Sequence, residues 1–282
     1  MSKTHERIRD SQMRYKKGLG QNFLYDENLL RALVEAAGIT EEDDVLEIGP
    51  GAGSLTGPLC EKAHRVLALE LDERLIPLLT AFTEKYDNLD IRQGDVMSVN
   101  LPELTSGLRR PFSVVANIPY YITTPLITLL LSGDLPIRRL ALMVQKEVAD
   151  KVLSAPGEEG WGPLAVRCRY LCEPRLAMEV PASCFTPPPK VDSAFLLLPV
   201  REKPAVNVRS EEDFFRVVGA AFALRRKTLV NSLAASLRLE RGEASALVEN
   251  AGLDPMIRGE RLSLDDFARL SDAWTRAKEA AR

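Results

Sequence analysis

The 282-residue sequence predicts an α/β fold, a doubly wound parallel sheet with helices on both faces, followed by a small all-α domain. Three observations carry this. From residue 45 onward, short β-branched apolar runs alternate with longer helix-like stretches, the signature of strand–helix–strand units. Two strand-like runs, RLAMEV (175–180) and SAFLLLPV (193–200), then follow with no helix between them. After REKPAVNV (201–208) every remaining pattern is helical.

The strands expected in order are VLEI (45–48), RVLALEL (65–71), LDIR (89–92), FSVVA (112–116) and LALMVQ (140–145). They are mostly continuous apolar runs, as suits parallel strands buried on both faces. Helices are expected over 53–63, 73–86, 124–132 and 146–154. RLAMEV and SAFLLLPV should pair as an antiparallel hairpin on the sheet edge. Five parallel strands closed by a hairpin is the arrangement of the class I, Rossmann-like, seven-stranded methyltransferase sheet rather than that of a dehydrogenase. FTPPPKVDS (185–193) can be neither helix nor central strand, because proline removes the backbone donor. The remaining helices are expected over 211–238, 243–251 and 264–280, with Asp254-Pro255 interrupting the last two. The domain boundary falls between 1–203 and 204–282.

Hydrophobic residues at 45% and charged residues at 27% fit a globular protein with a real core. No apolar stretch approaches the ~18 residues that a membrane helix needs. The opening MSKTHERIRD has no apolar segment of a secretory signal, so the expected location is cytoplasmic. Cys60, Cys168, Cys172 and Cys184 are scattered, with only His5 and His64 beside them. They read as buried free thiols, and no structural metal is expected. The net charge of −3 is unevenly spread: +4 over 1–20, −9 over 21–110 and +2 over 111–282. Total charge therefore does not exclude RNA, which requires only a local basic face.

The first strand opens into Glu47-Ile-Gly49-Pro-Gly51-Ala-Gly53, a glycine turn leading to a helix. Such a turn lets the backbone approach a ligand closely, and it serves dinucleotides and other adenosine cofactors alike. Glu70, at the end of the next strand, could accept from ribose hydroxyls in either class. Glu47 is unwelcome beside a pyrophosphate but tolerable near the ammonium and sulfonium of S-adenosyl-L-methionine. Asp95, after the third strand, can accept from an adenine amine. Each carboxylate alone reads equally well as a helix cap or a solvated loop acid. The fourth strand ends in Asn117-Ile118-Pro119-Tyr120. An exocyclic adenine amine is a poor nucleophile until its two N–H bonds are held by acceptors. The Asn117 carbonyl and a backbone carbonyl near Pro119 could hold them, with Tyr120 stacked on the base. The competing reading is an Asn-capped turn with core tyrosines. Tyr121 is read as packing.

Taken with KKGLGQNFL (16–24), LEIGPGAGSLT (46–56), ALELD (68–72), QGD (93–95), NIPYYITTP (117–125), MVQKEVADKV (143–152), CFTPPPKVDS (184–193) and ALRRKTLVNSL (223–233), the chain resembles the ribosomal RNA adenine N6,N6-dimethyltransferase family in its bacterial small-subunit branch. The QNFL and PPPKVDS elements are specific to that family; the glycine loop is not. The resemblance implies that Asn22, Leu24, Gly49, Gly51, Glu70, Asp95 and Asn117 bind S-adenosyl-L-methionine. It implies that Asn117, Pro119 and Tyr120 act on the target amine, with Phe185 as a second aromatic wall. Ile118 for leucine and Trp161 for tyrosine are the departures. Arg225, Arg226 and Lys227, placed on the first C-terminal helix, and Arg14, Lys16 and Lys17 are the candidate RNA contacts. The implied substrate is small-subunit ribosomal RNA in a pre-30S particle, dimethylated at two adjacent adenosines near its 3′ end by a monomer that needs no membrane. Rival readings are a large-subunit adenine methyltransferase, a non-catalytic ribosome-assembly or transcription factor, and an NAD-dependent dehydrogenase.

Overall fold

The structure, a computed structural model, describes residues 23–133 and 135–280. The chain divides into two compact units, the first comprising residues up to 149 with 173–200, the second 150–172 with 201 onward. In the first unit a two-residue strand, β1 (Phe23–Leu24), precedes α1 (Glu27–Ala36). Asp26 starts that helix, its Oδ1 accepting from the Asn28 and Leu29 amides at 2.9 and 3.2 Å. Then follow β2 (Asp44–Ile48), α2 (Thr56–Cys60), β3 (Arg65–Glu70), α3 (Ile76–Thr83), β4 (Leu89–Gln93) and α4 (Leu101–Leu104). After these come β5 (Phe112–Asn117), α5 (Thr123–Ser132), β6 (Ile137–Gln145) and α6 (Lys146–Leu153), which straddles the division. β7 (Arg175–Val180), the short β8 (Phe185–Thr186) and β9 (Ser193–Pro199) complete the unit.

Seven strands form one sheet in the order β4-β3-β2-β5-β6-β9-β7. β2 lies between parallel β3 and β5, and β6 continues the parallel set. The hairpin strands do pair antiparallel, with β9 inserted between β6 and β7. Burial explains the placement: β9 is buried along almost its whole length, whereas β7 buries only Val180 and takes the edge. The chain direction across the sheet reverses between β2 and β5. There the loops leaving the two strands run to opposite sides and open a crevice at their carboxyl ends.

The second unit holds α7 (Pro163–Leu171), α8 (Glu211–Phe222), α9 (Leu229–Leu237), α10 (Arg241–Asn250) and α11 (Leu264–Ala280). Two expectations are corrected here. The helix expected over 211–238 is two helices, broken at 223–228. The Ser232 hydroxyl donates to the Ala220 carbonyl at 2.7 Å and accepts from the Leu224 amide at 3.0 Å, which folds α9 back on α8. Leu229 and Leu233 then bury against the α8 face that carries Phe214 and Val217. Arg225, Arg226 and Lys227 therefore sit in the turn between helices, not on a helix. Residues 150–172, expected in the catalytic domain, pack with the helical unit instead. Trp161, Val166 and Tyr170 share the core of Phe214 and Phe267, and Tyr170 stacks on Phe214 with ring centroids 4.5 Å apart. The Trp161 Nε1–H donates to the Leu262 carbonyl at 3.0 Å.

Among the described residues no helix is long and apolar enough to cross a membrane. Cys60, Cys168, Cys172 and Cys184 are free, the first three buried. Burial pushes the Cys60 and Cys172 thiols up to about 12.

Truncation of Trp161 tests this assignment of residues 150–172. Trp161→Ala removes an indole that is 1% exposed together with its hydrogen bond. We expect a loss of ~3–5 kcal/mol of stability, read as a lower urea midpoint of the full chain. A variant that unfolds with the wild type would contradict the placement.

Candidate active site

The crevice at the reversal of strand order is an open cleft of about 200 Å³. Its floor is built from four adjacent strand ends. Gly49 and Gly51 leave β2 with φ of +68° and +61°, a region that strains any residue with a Cβ. A Cβ on Gly51 would also stand 2.9 Å from the Phe23 ring of β1. The Gly49 amide donates to the Leu69 carbonyl at 2.9 Å, and the Gly94 amide to the Glu70 carbonyl at 2.9 Å. Glu70, the last residue of β3, joins the turns: its Oε2 accepts from the Gly51 amide at 2.9 Å and its Oε1 from the Asp72 amide at 2.7 Å. Burial raises the Glu70 carboxyl from its ordinary value, against the pull of those two amides.

Asp95 follows β4 and is exposed; its Oδ1 accepts from the Met97 amide at 2.9 Å. That bond closes an Asx turn at the edge of the cleft that Asp95 lines. Asn117 ends β5, half-buried, and Pro119 carries the chain into a one-turn helix, Tyr120–Ile122. The half-buried Tyr120 shares a 2.6 Å hydrogen bond between its hydroxyl and Ser193 Oγ of β9. Burial raises the Tyr120 phenol, keeping it neutral.

Glu47 lies under the glycine turn, 2% exposed, and accepts from the Thr56 hydroxyl at 2.7 Å. Burial pushes its carboxyl up to about 8; the Thr56 bond lowers it, and the charge of Glu70 raises it further. From the sequence Glu47 is expected to stand as a negative charge. Its surroundings hold it neutral at pH 7.

Leu24, Gly49, Gly51, Glu70, Asp95, Asn117, Pro119 and Tyr120, eight of the residues expected at a site, all line this one cleft. Phe185 does not. It pairs with Leu24 in the β1–β8 ladder, is 3% exposed, and buries its ring in the core with Leu24 and Leu30. Asn22, Arg14, Lys16 and Lys17 lie outside the described residues. In the turn after α8, Arg225 donates to the Glu159 carbonyl at 2.8 Å, and Arg226 and Lys227 are exposed. Cleft residues that the sequence did not single out include Phe23, Ser54, Leu71 and Met97. Tyr121, read as packing, is instead 63% exposed on the cleft wall. Among the described residues the buried Ser54 hydroxyl has no hydrogen-bond partner. Among the described residues no group of three or more His, Cys, Asp or Glu is placed to hold a metal ion.

A glycine turn and acids at adjacent ends of a seven-stranded sheet, with an antiparallel pair on its far side, are the fold and cleft of the class I methyltransferases. The chain matches the ribosomal RNA adenine dimethylase family over residues 12–275, and it belongs to that family. A ribosomal RNA small subunit methyltransferase A of Enterococcus faecalis is 42% identical, the alignment covering 98% of this chain and 96% of that protein. The solved structure of a dimethyladenosine transferase from Plasmodium falciparum superposes with a TM-score of 0.74 at 26% identity, covering 88% of this chain and 95% of that one. The 23S rRNA methyltransferase ErmE superposes at 0.68 with 28% identity, covering 89% and 99%.

The Glu47 environment has a measurable consequence. In the fold its carboxyl keeps a proton up to about pH 8, whereas its ordinary value is 4.5. Its stabilising contribution is therefore complete below about pH 4.5 and is lost as pH rises through about 8. The slope reaches about 1.4 kcal/mol per pH unit. Glu47→Gln removes the titration, so the variant should gain stability relative to wild type between pH 5 and pH 8. Parallel pH dependence of the two unfolding curves would contradict this.

Proposed function

We propose that the cleft binds S-adenosyl-L-methionine and that the protein transfers methyl groups to N6 of two adjacent adenosines near the 3′ end of small-subunit ribosomal RNA, presented in a pre-30S particle. The observation that carries this reading is the convergence of Glu70, Asp95, Asn117 and Tyr120 on one cleft in a chain of the rRNA adenine dimethylase family. The residues present suit the cofactor. Glu70 spends one amide bond on each oxygen, leaving lone pairs for two ribose hydroxyls. Asp95 keeps an oxygen for an adenine amine, and the glycine turn admits the amino-acid end close to backbone.

Bound there, S-adenosyl-L-methionine supplies an electrophilic methyl group, the electron pair of the broken bond remaining on sulfur. The Asn117 side-chain carbonyl and a backbone carbonyl of the Asn117–Tyr120 turn accept the two N–H bonds of the target amine. That turns its lone pair toward the methyl carbon. Tyr120, pinned through Ser193, presents its ring to the base, a contact worth ~1–3 kcal/mol. The amine nitrogen becomes acidic only after transfer, so its proton passes to water without a strong base. The target base must leave its stack to reach this depth. Arg225, Arg226 and Lys227, with the basic tract Arg14, Lys16 and Lys17, are the proposed phosphate contacts.

Two measurements test this. Incubation with labelled S-adenosyl-L-methionine and small-subunit particles from cells lacking the modification should place label on N6 of two adjacent adenosines. Absence of N6 label, or label confined to large-subunit RNA, would overturn the assignment. Asn117→Ala should keep the wild-type circular dichroism and lose on the order of 100-fold in turnover, the usual effect of deleting one orienting hydrogen-bonding group. Near-normal turnover would remove Asn117 from the mechanism.

A further inference from the structure

Three large apolar side chains stand exposed on the cleft: Leu71, Met97 and Tyr121. Leu71 follows Glu70, and Met97 closes the Asp95 turn, so both belong to the β3 and β4 side that the cofactor occupies in the reading above. Tyr121 stands on the other side. It follows β5, which lies two strands from β3 in the order β4-β3-β2-β5, a separation of roughly 10 Å. On that side Asn117 and Tyr120 are proposed to hold the target amine, and the Tyr121 ring has no part in that step.

Tyr120 and Tyr121 are consecutive in the one-turn helix Tyr120–Ile122, a geometry that sets successive side chains about 120° apart. Tyr120 meets the Ser193 hydroxyl of β9, whereas Tyr121 is 63% exposed. The backbone that carries Tyr121 is held on both sides. The Ile122 amide donates to the Pro119 carbonyl at 3.2 Å, and the Thr123 amide donates to the Tyr120 carbonyl. Among the described residues the Tyr121 side chain has no hydrogen bond, ion pair or ring contact. Its ring is a flat apolar face on a fixed turn, and it loses little freedom when something covers it.

Seating one adenosine in the cleft breaks its stack and leaves the adjacent base with an uncovered face. Bases of single-stranded RNA are held by stacking on aromatic rings, and contacts to a flanking nucleotide set the sequence context of a flipped base. We propose that Tyr121 stacks on the base next to the seated adenosine and holds the strand while its neighbour reacts, an inference that rests on the reaction proposed above. The two target adenosines are adjacent, so each is the other's neighbour. Stacking uses the face of the ring and not the N6 hydrogens. The same plate therefore accepts an unmodified neighbour in one round and a dimethylated one in the next.

The test removes the two stacking faces separately. Turnover of the full chain is measured on unmodified small-subunit particles and on particles reconstituted with an abasic nucleotide in place of either adenosine. Tyr121→Ala should raise the KM for the unmodified particle on the order of tenfold, with a smaller effect on kcat, and Tyr121→Phe, which keeps the ring, should restore it. With at least one abasic particle the wild type should show the same rise in KM, and Tyr121→Ala should add nothing to it. An unchanged KM in Tyr121→Ala, an equal loss in Tyr121→Phe, or effects that add in both abasic particles overturn the proposal while leaving the reaction intact. Weakened calorimetric affinity of Tyr121→Ala for S-adenosylhomocysteine would place the ring on the cofactor and overturn it too. Wild-type protein that puts no N6 label on the unmodified particle overturns the reaction and the proposal together. Should Tyr121→Ala not fold, the wild type alone decides, and an unchanged KM on both abasic particles overturns the proposal.

Discussion

One carboxylate holds the cleft together. Glu70 stands at the end of β3 and divides its two oxygens between the Gly51 and Asp72 amides. The first of those amides belongs to the turn after β2, the second to the turn after β3. Main-chain bonds from Gly49 to Leu69 and from Gly94 to Glu70 carry the same linkage from β2 to β4. Three loops that could have moved separately are therefore bonded into one floor. The desolvation of Glu70 is partly offset by backbone donors, which makes a buried acid more tolerable there.

Glu47, one strand over, shows what the same residue type does without those donors. Among the described residues it has a single hydroxyl partner and a like-charged neighbour, so it holds its proton where Glu70 is partly compensated. Both acids on these adjacent strand ends are raised from their ordinary values by burial, Glu47 the further of the two for want of backbone donors. A floor with two fully ionised acids side by side would repel itself.

The sheet was legible because buried parallel strands are continuous apolar runs, and VLEI, RVLALEL and FSVVA have no other plausible use. Glu70, Asp95 and Asn117 were legible for the same reason, since each ends or closely follows such a run. Features set by tertiary packing were not. Helix formers run unbroken through Ala223–Lys227, and tertiary bonds, the Ser232 bridge to Ala220 and Leu224 and the Leu229 amide to the Ile257 carbonyl, mark the break after α8. Helix α7 and the segment before it carry Tyr170 and Trp161 into the helical unit's core although they interrupt the first unit in sequence. Helix α1 was passed over despite its Asp26 cap and buried Leu30, Leu33 and Val34. Phe185 is buried and Tyr121 exposed because each sits in an element of two or three residues, too short for periodicity to fix which way a ring turns.

The antiparallel pair at the far side of the sheet has a part in the cleft as well. Ser193 is the first residue of β9, in register with Gln145 of β6 and Val180 of β7, and its hydroxyl meets that of Tyr120. The connection between β7 and β9 contains β8, which pairs with β1 and so fixes Phe23 and Leu24 on the cleft wall. Phe23 in turn packs against Gly51, where a Cβ would collide with its ring. One hairpin and its connection thus hold the tyrosine on one wall and the β1 wall that presses on the glycine turn. A doubly wound sheet lacking this addition would keep the acids and the glycine turn but lose both clamps, so the hairpin that marks the fold is also what shapes its cleft.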